Sequence, residues 1–113
     1  MDTLESIRIA NLERLFDSLP RRLLKLDEEK GEASEAYLSA SSLTNYKDKT
    51  WHDVREELVD VMIVAIDCLW LEYPDEKDMT VEDKRAYIGN LLATKLQKWI
   101  DAKARGKEAM TTK

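Results

Sequence analysis

The sequence has 113 residues and a mass of 13.1 kDa, a size that fits one domain. The 18 basic residues against 23 acidic ones give a net charge of −5, which argues against nucleic acid or an anionic membrane as the main partner, because both favour basic surfaces. Only 3 glycines and 2 prolines are present, too few for the turns of a multi-stranded β domain. We therefore expect a helical domain.

The cysteine content and the apolar stretches predict where the protein resides. The single cysteine, Cys68, cannot form an internal disulfide, which favours a reducing compartment. The first residues lack the basic segment and apolar core of a signal peptide. The longest apolar stretch, Leu58–Leu71, is interrupted by Asp60 and Asp67 and is too short to cross a bilayer. These features predict a cytoplasmic protein with no membrane partner.

Capping signals predict two helices in the first part of the chain. Thr3 is expected to cap a helix over about 4–17. Ser18 followed by Pro20 then predicts the start of a second helix, over about 19–39. The apolar side of this second helix is predicted to consist of Leu19, Leu23, Leu26, Ala33 and Tyr37.

One capping pattern occurs twice in the second part of the chain. A Thr-x-x-Asp spacing begins at Thr50 and again at Thr80, and it predicts the start of a third helix reaching to about residue 72 and of a fourth. The fourth helix is expected to end in a basic tail over about 106–113. Because the connections are short, we predict a single all-α domain over residues 1–113, an antiparallel bundle of about four helices.

Acidic residues are concentrated on the second helix. Glu28, Glu29, Glu32 and Glu35 lie within eight residues, and pairs at i,i+3 or i,i+4 repel each other. At 100° per residue, Glu29 falls at the edge of the apolar arc and Glu32 lies next to it. The pattern is compatible with an ordinary acidic surface or with a site.

The third helix favours a site. Its apolar residues cover almost the whole circumference, so we expect it to be buried on most sides. Glu57, Asp60 and Asp67 nevertheless share one stripe, and no lysine or arginine lies between Arg55 and Lys77. An ionised carboxylate in apolar surroundings is unfavourable unless something neutralises it. The counter-charge must therefore come from outside this helix.

The two acidic helices together predict a metal site. If they are antiparallel neighbours, the pair Glu29 and Glu32 meets the pair Glu57 and Asp60, which brings four oxygen donors together. All-oxygen, carboxylate-rich sites suit Mg²⁺ or Mn²⁺. The alternative is a set of ion pairs to lysines or arginines of other helices, which carries more weight for Asp67 and Glu56 than for Glu57 and Asp60.

The two acidic motifs resemble those of a known family. E-E-x-x-E at Glu28, Glu29 and Glu32, followed by E-x-x-D at Glu57 and Asp60, is similar to the motifs of the MazG-like all-α nucleotide pyrophosphohydrolases. The surrounding sequences KLDEEKGEASEA and REELVDVMIVAIDCL resemble the two motif helices of that family. The paired motifs carry the resemblance, because an isolated E-x-x-E occurs on many helices.

The resemblance implies an enzyme that hydrolyses a nucleoside triphosphate to the monophosphate and pyrophosphate, for nucleotide-pool control or removal of aberrant nucleotides. It implies Mg²⁺, with Mn²⁺ as a substitute, held by Glu29, Glu32, Glu57 and Asp60. Glu28 and Glu29 would serve catalysis, with Glu28 orienting the attacking water. Related enzymes are homo-oligomers, and the apolar third helix independently predicts at least a homodimer.

Further residues are candidates for binding the substrate. Lys95 and Lys98 lie in or beside the apolar arc of the fourth helix, where a lysine either binds phosphate or extends its amine to solvent. Members of that family carry a lysine followed four residues later by an arginine. Here Ala102 stands four residues after Lys98, at the position of that arginine. Tyr46 and Trp51 flank the connection between the motif helices and could stack on a base. Asp67 matches a family position that is often Asn or Asp.

Two other functions remain open from the sequence. One is a phosphoribosyl-ATP pyrophosphatase, an enzyme with a similar arrangement of acids. The other is a non-catalytic helical interaction module whose acidic face binds a basic partner. Burial separates the second from an enzyme, because acids that bind a partner belong on a polar face.

Overall fold

The computed structural model describes residues 2–10, 14–41 and 48–111, with side chains up to residue 106. Its elements are four α-helices and one short 3-10 helix, and the described residues contain no strand. The helices are α1 (Thr3–Ala10), α2 (Leu19–Ala40), α3 (Trp51–Leu69) and α4 (Val81–Thr111), with the 3-10 helix at Phe16–Ser18. The predicted all-α class with four helices is confirmed. The chain forms two compact units, Met1–Lys77 and Asp78–Lys113.

The first helix is shorter than predicted and is capped by a different residue. Asp2, not Thr3, caps it, since Asp2 Oδ1 accepts a hydrogen bond from the Glu5 backbone N–H at 2.8 Å. The predicted extension to residue 17 is wrong, because the chain near residue 15 pairs with the segment that follows α3. There, the Glu72 N–H donates to the Arg14 carbonyl oxygen at 2.8 Å. A backbone engaged in this bridge cannot continue a helix.

The starts of α2 and α3 agree with their sequence signals. α2 follows Ser18 with Pro20 in its first turn, although the Ser18 hydroxyl donates to the Leu15 carbonyl oxygen instead of capping the helix. The capping box of α3 is confirmed, because Asp53 N–H donates to Thr50 Oγ1 at 3.3 Å and Thr50 N–H donates to Asp53 Oδ2 at 2.8 Å.

α2 and α3 pack as an antiparallel pair. Near the start of α2, Arg22 Nε donates to Asp67 Oδ2 at 2.9 Å, and Asp67 lies near the end of α3. At the opposite ends, the rings of Tyr37 and Trp51 lie 6.0 Å apart. These two contacts fix which residues of the helices face each other.

The burial pattern corrects two expectations. The buried line of α2 runs through Glu29, Ala33 and Ala36, while Leu23 and Tyr37 are about half exposed. The expectation that α3 is buried on most sides is wrong for the structure as described, because Cys68 is its one buried residue among those described. Its exposed large apolar side chains are Trp51, Leu58, Val59, Met62, Ile63 and Leu69.

α4 forms the second unit and extends past its predicted end. Its start has the predicted pairing, since Asp83 N–H donates to Thr80 Oγ1 at 3.0 Å. The helix continues beyond Gly106, because the residues that follow it are good helix formers and outweigh one glycine. Over the described parts of the chain, no helix combines the length and the apolar character that crossing a bilayer demands.

Candidate functional site

Three acidic side chains converge between α2 and α3. Glu29, Glu57 and Asp60 each offer one carboxylate oxygen, and these oxygens all lie within 4.8 Å of one another. Glu29 reaches this point because it lies one turn before Ala33 on the buried line of α2. Glu57 and Asp60 lie three residues apart on α3 and so share one side of that helix. We call these three residues the acidic cluster.

The members of the acidic cluster differ in burial. Glu29 is 7% exposed, and Glu57 is half-buried; its Oε2 atom is inaccessible to solvent and has no hydrogen-bond partner among the described residues. Asp60 is exposed, which corrects the expectation that it lies in apolar surroundings. The cluster therefore has a buried floor and an open side.

One cation contacts the cluster, and the sequence reasoning missed it. Lys25 Nζ lies 2.9 Å from Glu29 Oε1 and 3.6 Å from Glu28 Oε2. The signal was present, since a lysine four residues before a glutamate on a helix lies on the same face. Among the described residues, neither Glu57 nor Asp60 takes part in an ion pair. Within the acidic cluster, the alternative of ion pairing thus applies to Glu29 and not to Glu57 or Asp60.

Glu32 lies outside the acidic cluster, but the charges of the cluster change its pKa. The negative charge of Glu29 raises the pKa of the Glu32 carboxyl above its usual value, with smaller contributions from desolvation and from Glu57. A raised pKa means that the folded chain holds this proton more tightly than the unfolded chain. The free energy of unfolding of the metal-free protein therefore falls as the pH rises from 4.5, the ordinary pKa of a glutamate, through the raised pKa of Glu32.

Removing the charge of Glu29 should remove the largest cause of the raised pKa of Glu32. We expect Glu29→Gln to lower the pKa of Glu32, measured by a carbon-13 NMR titration of the side-chain carboxyl. Glu28→Gln should lower it less, because the charge of Glu28 raises the pKa of Glu32 less than the charge of Glu29 does. A Glu32 pKa that is unchanged in Glu29→Gln would contradict the proximity of these two side chains.

The other candidate residues of the first unit have separate positions. Asp67 forms an ion pair with Arg22, as the ion-pair alternative predicted for it. Trp51 is the first residue of α3, is 55% exposed and contacts the Tyr37 ring. Tyr46 lies outside the described residues. Tyr37 is a further aromatic candidate that the sequence reasoning assigned to the helix core.

An apolar groove of about 470 Å³ runs along α2 and α3 next to the acidic cluster. Two of its lining residues, Lys30 and Val61, directly follow Glu29 and Asp60 in the sequence. Most of its lining is apolar, and its volume lies within the range of small-molecule sites. The lining residues include Ala33, Tyr37, Leu38, Val54, Leu58 and Val61.

The candidate lysines lie on α4, in the second unit. Lys95 and Lys98 line an open groove of about 490 Å³ together with Trp99, Ala102 and Lys103. The predicted apolar face of α4 is largely exposed, with Leu96 at 57% and Trp99 at 67%. α4 therefore presents a surface that combines lysine ammonium groups with apolar side chains.

No family model, curated protein or solved structure matches the chain. The function is therefore inferred from the acidic cluster, its surroundings and the sequence motifs.

Proposed function

We propose that the protein is a Mg²⁺-dependent nucleoside triphosphate pyrophosphohydrolase, which converts a ribo- or deoxyribonucleoside triphosphate and water to the monophosphate and pyrophosphate. The observation that supports this most strongly is the convergence of Glu29, Glu57 and Asp60 from two helices. These residues belong to the two motifs that resemble the MazG-like family. The three acids that lie close together in the structure are thus also the ones whose sequence motifs resemble those of that family.

The acidic cluster fits a divalent cation. Oxygens on opposite sides of one Mg²⁺ are about 4 Å apart, so carboxylate oxygens within 4.8 Å of one another need only small side-chain rotations to bind one ion. The inaccessible Glu57 Oε2 has no hydrogen-bond partner in the described part of the chain, and a cation would satisfy it. Glu32 is the candidate fourth ligand. When bound, Mg²⁺ supplies neutralisation of phosphate charge and acidification of a bound water.

Two further features of the first unit fit the proposed reaction. Glu28 is 59% exposed next to Glu29, where a carboxylate can accept a proton from the attacking water. The apolar groove beside the cluster offers the Tyr37 ring as a surface on which a base can stack, and the Trp51 ring lies 6.0 Å from it. Lys95 and Lys98 belong to the second unit, and their binding of phosphate stays a prediction.

A screen of triphosphates tests this proposal. Canonical, deoxy and modified nucleoside triphosphates and phosphoribosyl-ATP are incubated with the protein, with and without Mg²⁺, and pyrophosphate release is measured. We expect Mg²⁺-dependent release that is lost in Glu57→Gln. Glu56→Gln is the matched control, since Glu56 is the neighbouring residue, pairs with His52 and lies outside the cluster.

The outcome of the screen also separates the alternatives. Release from phosphoribosyl-ATP alone would assign the protein to the phosphoribosyl-ATP pyrophosphatase type. Absence of release from every triphosphate would overturn the enzymatic proposal and leave the non-catalytic interaction module.

We also propose that the chain assembles at least as a homodimer through α3. The support is the exposed apolar face that includes Leu58, Met62 and Ile63, which are 54%, 52% and 42% exposed in the single chain. Sedimentation at tens of micromolar is expected to give at least twice the 13.1 kDa chain mass. Met62→Glu should shift the protein toward the monomer, because it places a charge in that face. A wild-type monomer under these conditions would contradict the proposal.

A further inference from the structure

We propose that Lys25 is a built-in competitor of the metal ion, which occupies Glu29 in the metal-free protein and must leave it before a divalent cation binds. This inference rests on the proposed metal site and adds a residue that sets its affinity. Lys25 Nζ lies 2.9 Å from Glu29 Oε1, and Glu29 is a member of the acidic cluster. The ammonium group and a metal ion would therefore share one carboxylate.

Burial explains why the metal-free protein holds a cation at Glu29. The Glu29 side chain is only 9% exposed, and carboxylate oxygens of Glu57 and Asp60 lie within 4.8 Å of one of its own. An ionised carboxylate in this position is unfavourable without a nearby positive charge. Of the two α2 lysines near it, Lys25 provides that charge, whereas Lys30 makes no ion pair in the described part of the chain.

The ammonium group can also leave Glu29. The Lys25 side chain is 52% exposed and flexible, so its release does not require the helix to move. Glu28 provides a second position for it, since Glu28 Oε2 already lies 3.6 Å from Lys25 Nζ. A divalent cation at the cluster repels the ammonium group and favours this transfer from Glu29 to Glu28.

Metal affinity measured in the absence of nucleotide tests the inference. Mn²⁺ is titrated into wild type, Lys25→Met and Lys30→Met at constant ionic strength, and free Mn²⁺ is followed by its electron paramagnetic resonance signal. Lys25→Met keeps the aliphatic chain and removes the competing charge. We expect its dissociation constant to fall about two- to fivefold, the size of the pairing that a partly exposed ammonium group provides. Lys30→Met removes the same charge elsewhere on α2 and should change the constant less than twofold, while Lys25→Arg should stay close to wild type.

Each outcome has a definite reading. Tighter binding in Lys25→Met alone supports competition, because a lysine with a merely structural role would weaken binding or leave it unchanged when removed. Equal or weaker binding in Lys25→Met, beside a wild type that binds Mn²⁺, overturns the role of Lys25 and leaves the metal site intact. Absence of binding in all the proteins overturns the metal site itself and the competition with it.

Discussion

Arg22→Met is expected to lower the free energy of unfolding by about 3 kcal/mol, because it leaves the carboxylate of Asp67 partly buried without its cation. Arg22 Nε donates to Asp67 Oδ2 at 2.9 Å, and the two side chains are only 12% and 21% exposed. The other oxygen, Oδ1, is inaccessible and has no hydrogen-bond partner within residues 2–10, 14–41 and 48–106, so the ion pair is the main compensation for this charge. Urea denaturation measures the change.

A double variant separates the stranded charge from the loss of the arginine side chain. Arg22→Met combined with Asp67→Leu removes both charges and should recover at least half of the lost stability, since an apolar pair can replace a buried ion pair. Lys30→Met, an exposed position on the same helix, should stay within about 0.5 kcal/mol of wild type. A single Arg22→Met variant as stable as wild type would show that solvent already screens Asp67.

Local signals in the sequence predicted the parts of the fold that depend on few residues. The capping box at Thr50 and Asp53 marks the start of α3, and Pro20 marks the first turn of α2. Both depend on contacts within one turn of a helix, so a short stretch of sequence contains all the necessary information. The approach of Glu29 to Glu57 was expected as well, because each falls at or beside the inward side of its helix and a short connection favours antiparallel packing of the two helices.

Features that depend on distant contacts were not predictable in this way. The bridge of Leu15 with Glu72 is incompatible with the helix predicted to reach residue 17. The sequence near position 15 contains no signal for a partner so far along the chain. Trp70 and Leu71 are 2% and 0% exposed just beyond α3, where the sequence pattern predicted more helix. The exposure of Asp60 depends on which flank of α3 is left uncovered, and helical periodicity alone does not contain that information.

Asp60→Asn is expected to abolish the stabilisation of the protein by Mg²⁺ while leaving the metal-free protein at least as stable as wild type. In the metal-free state the substitution removes one of three carboxylates whose oxygens lie within 4.8 Å, and it keeps the shape of the side chain. It leaves no cation without its partner, because Asp60 takes part in no ion pair among the described residues. Loss of a negative charge from a repelling group therefore favours the fold.

Mg²⁺ should act in the opposite direction on wild type. An ion that binds only the folded chain adds about 2.7 kcal/mol to its stability at 100 times its dissociation constant. For a chain of this size that gain raises Tm by about 10 °C. Asp60→Asn lacks one ligand and should show little of this rise, since an amide oxygen binds Mg²⁺ more weakly than a carboxylate does.

Melting curves of wild type, Asp60→Asn and Glu56→Gln, each recorded in EDTA and in Mg²⁺, decide between a metal site and a purely structural role for these acids. Glu56 is exposed on the same helix and outside the acidic cluster, so its variant should keep the full rise in Tm with Mg²⁺. If the acids only support the fold, Asp60→Asn melts below wild type in EDTA and Mg²⁺ changes none of the three curves. A metal site requires the reverse pattern. Asp60→Asn then melts in EDTA at or above the Tm of wild type, and it alone of the three proteins shows no rise in Tm with Mg²⁺.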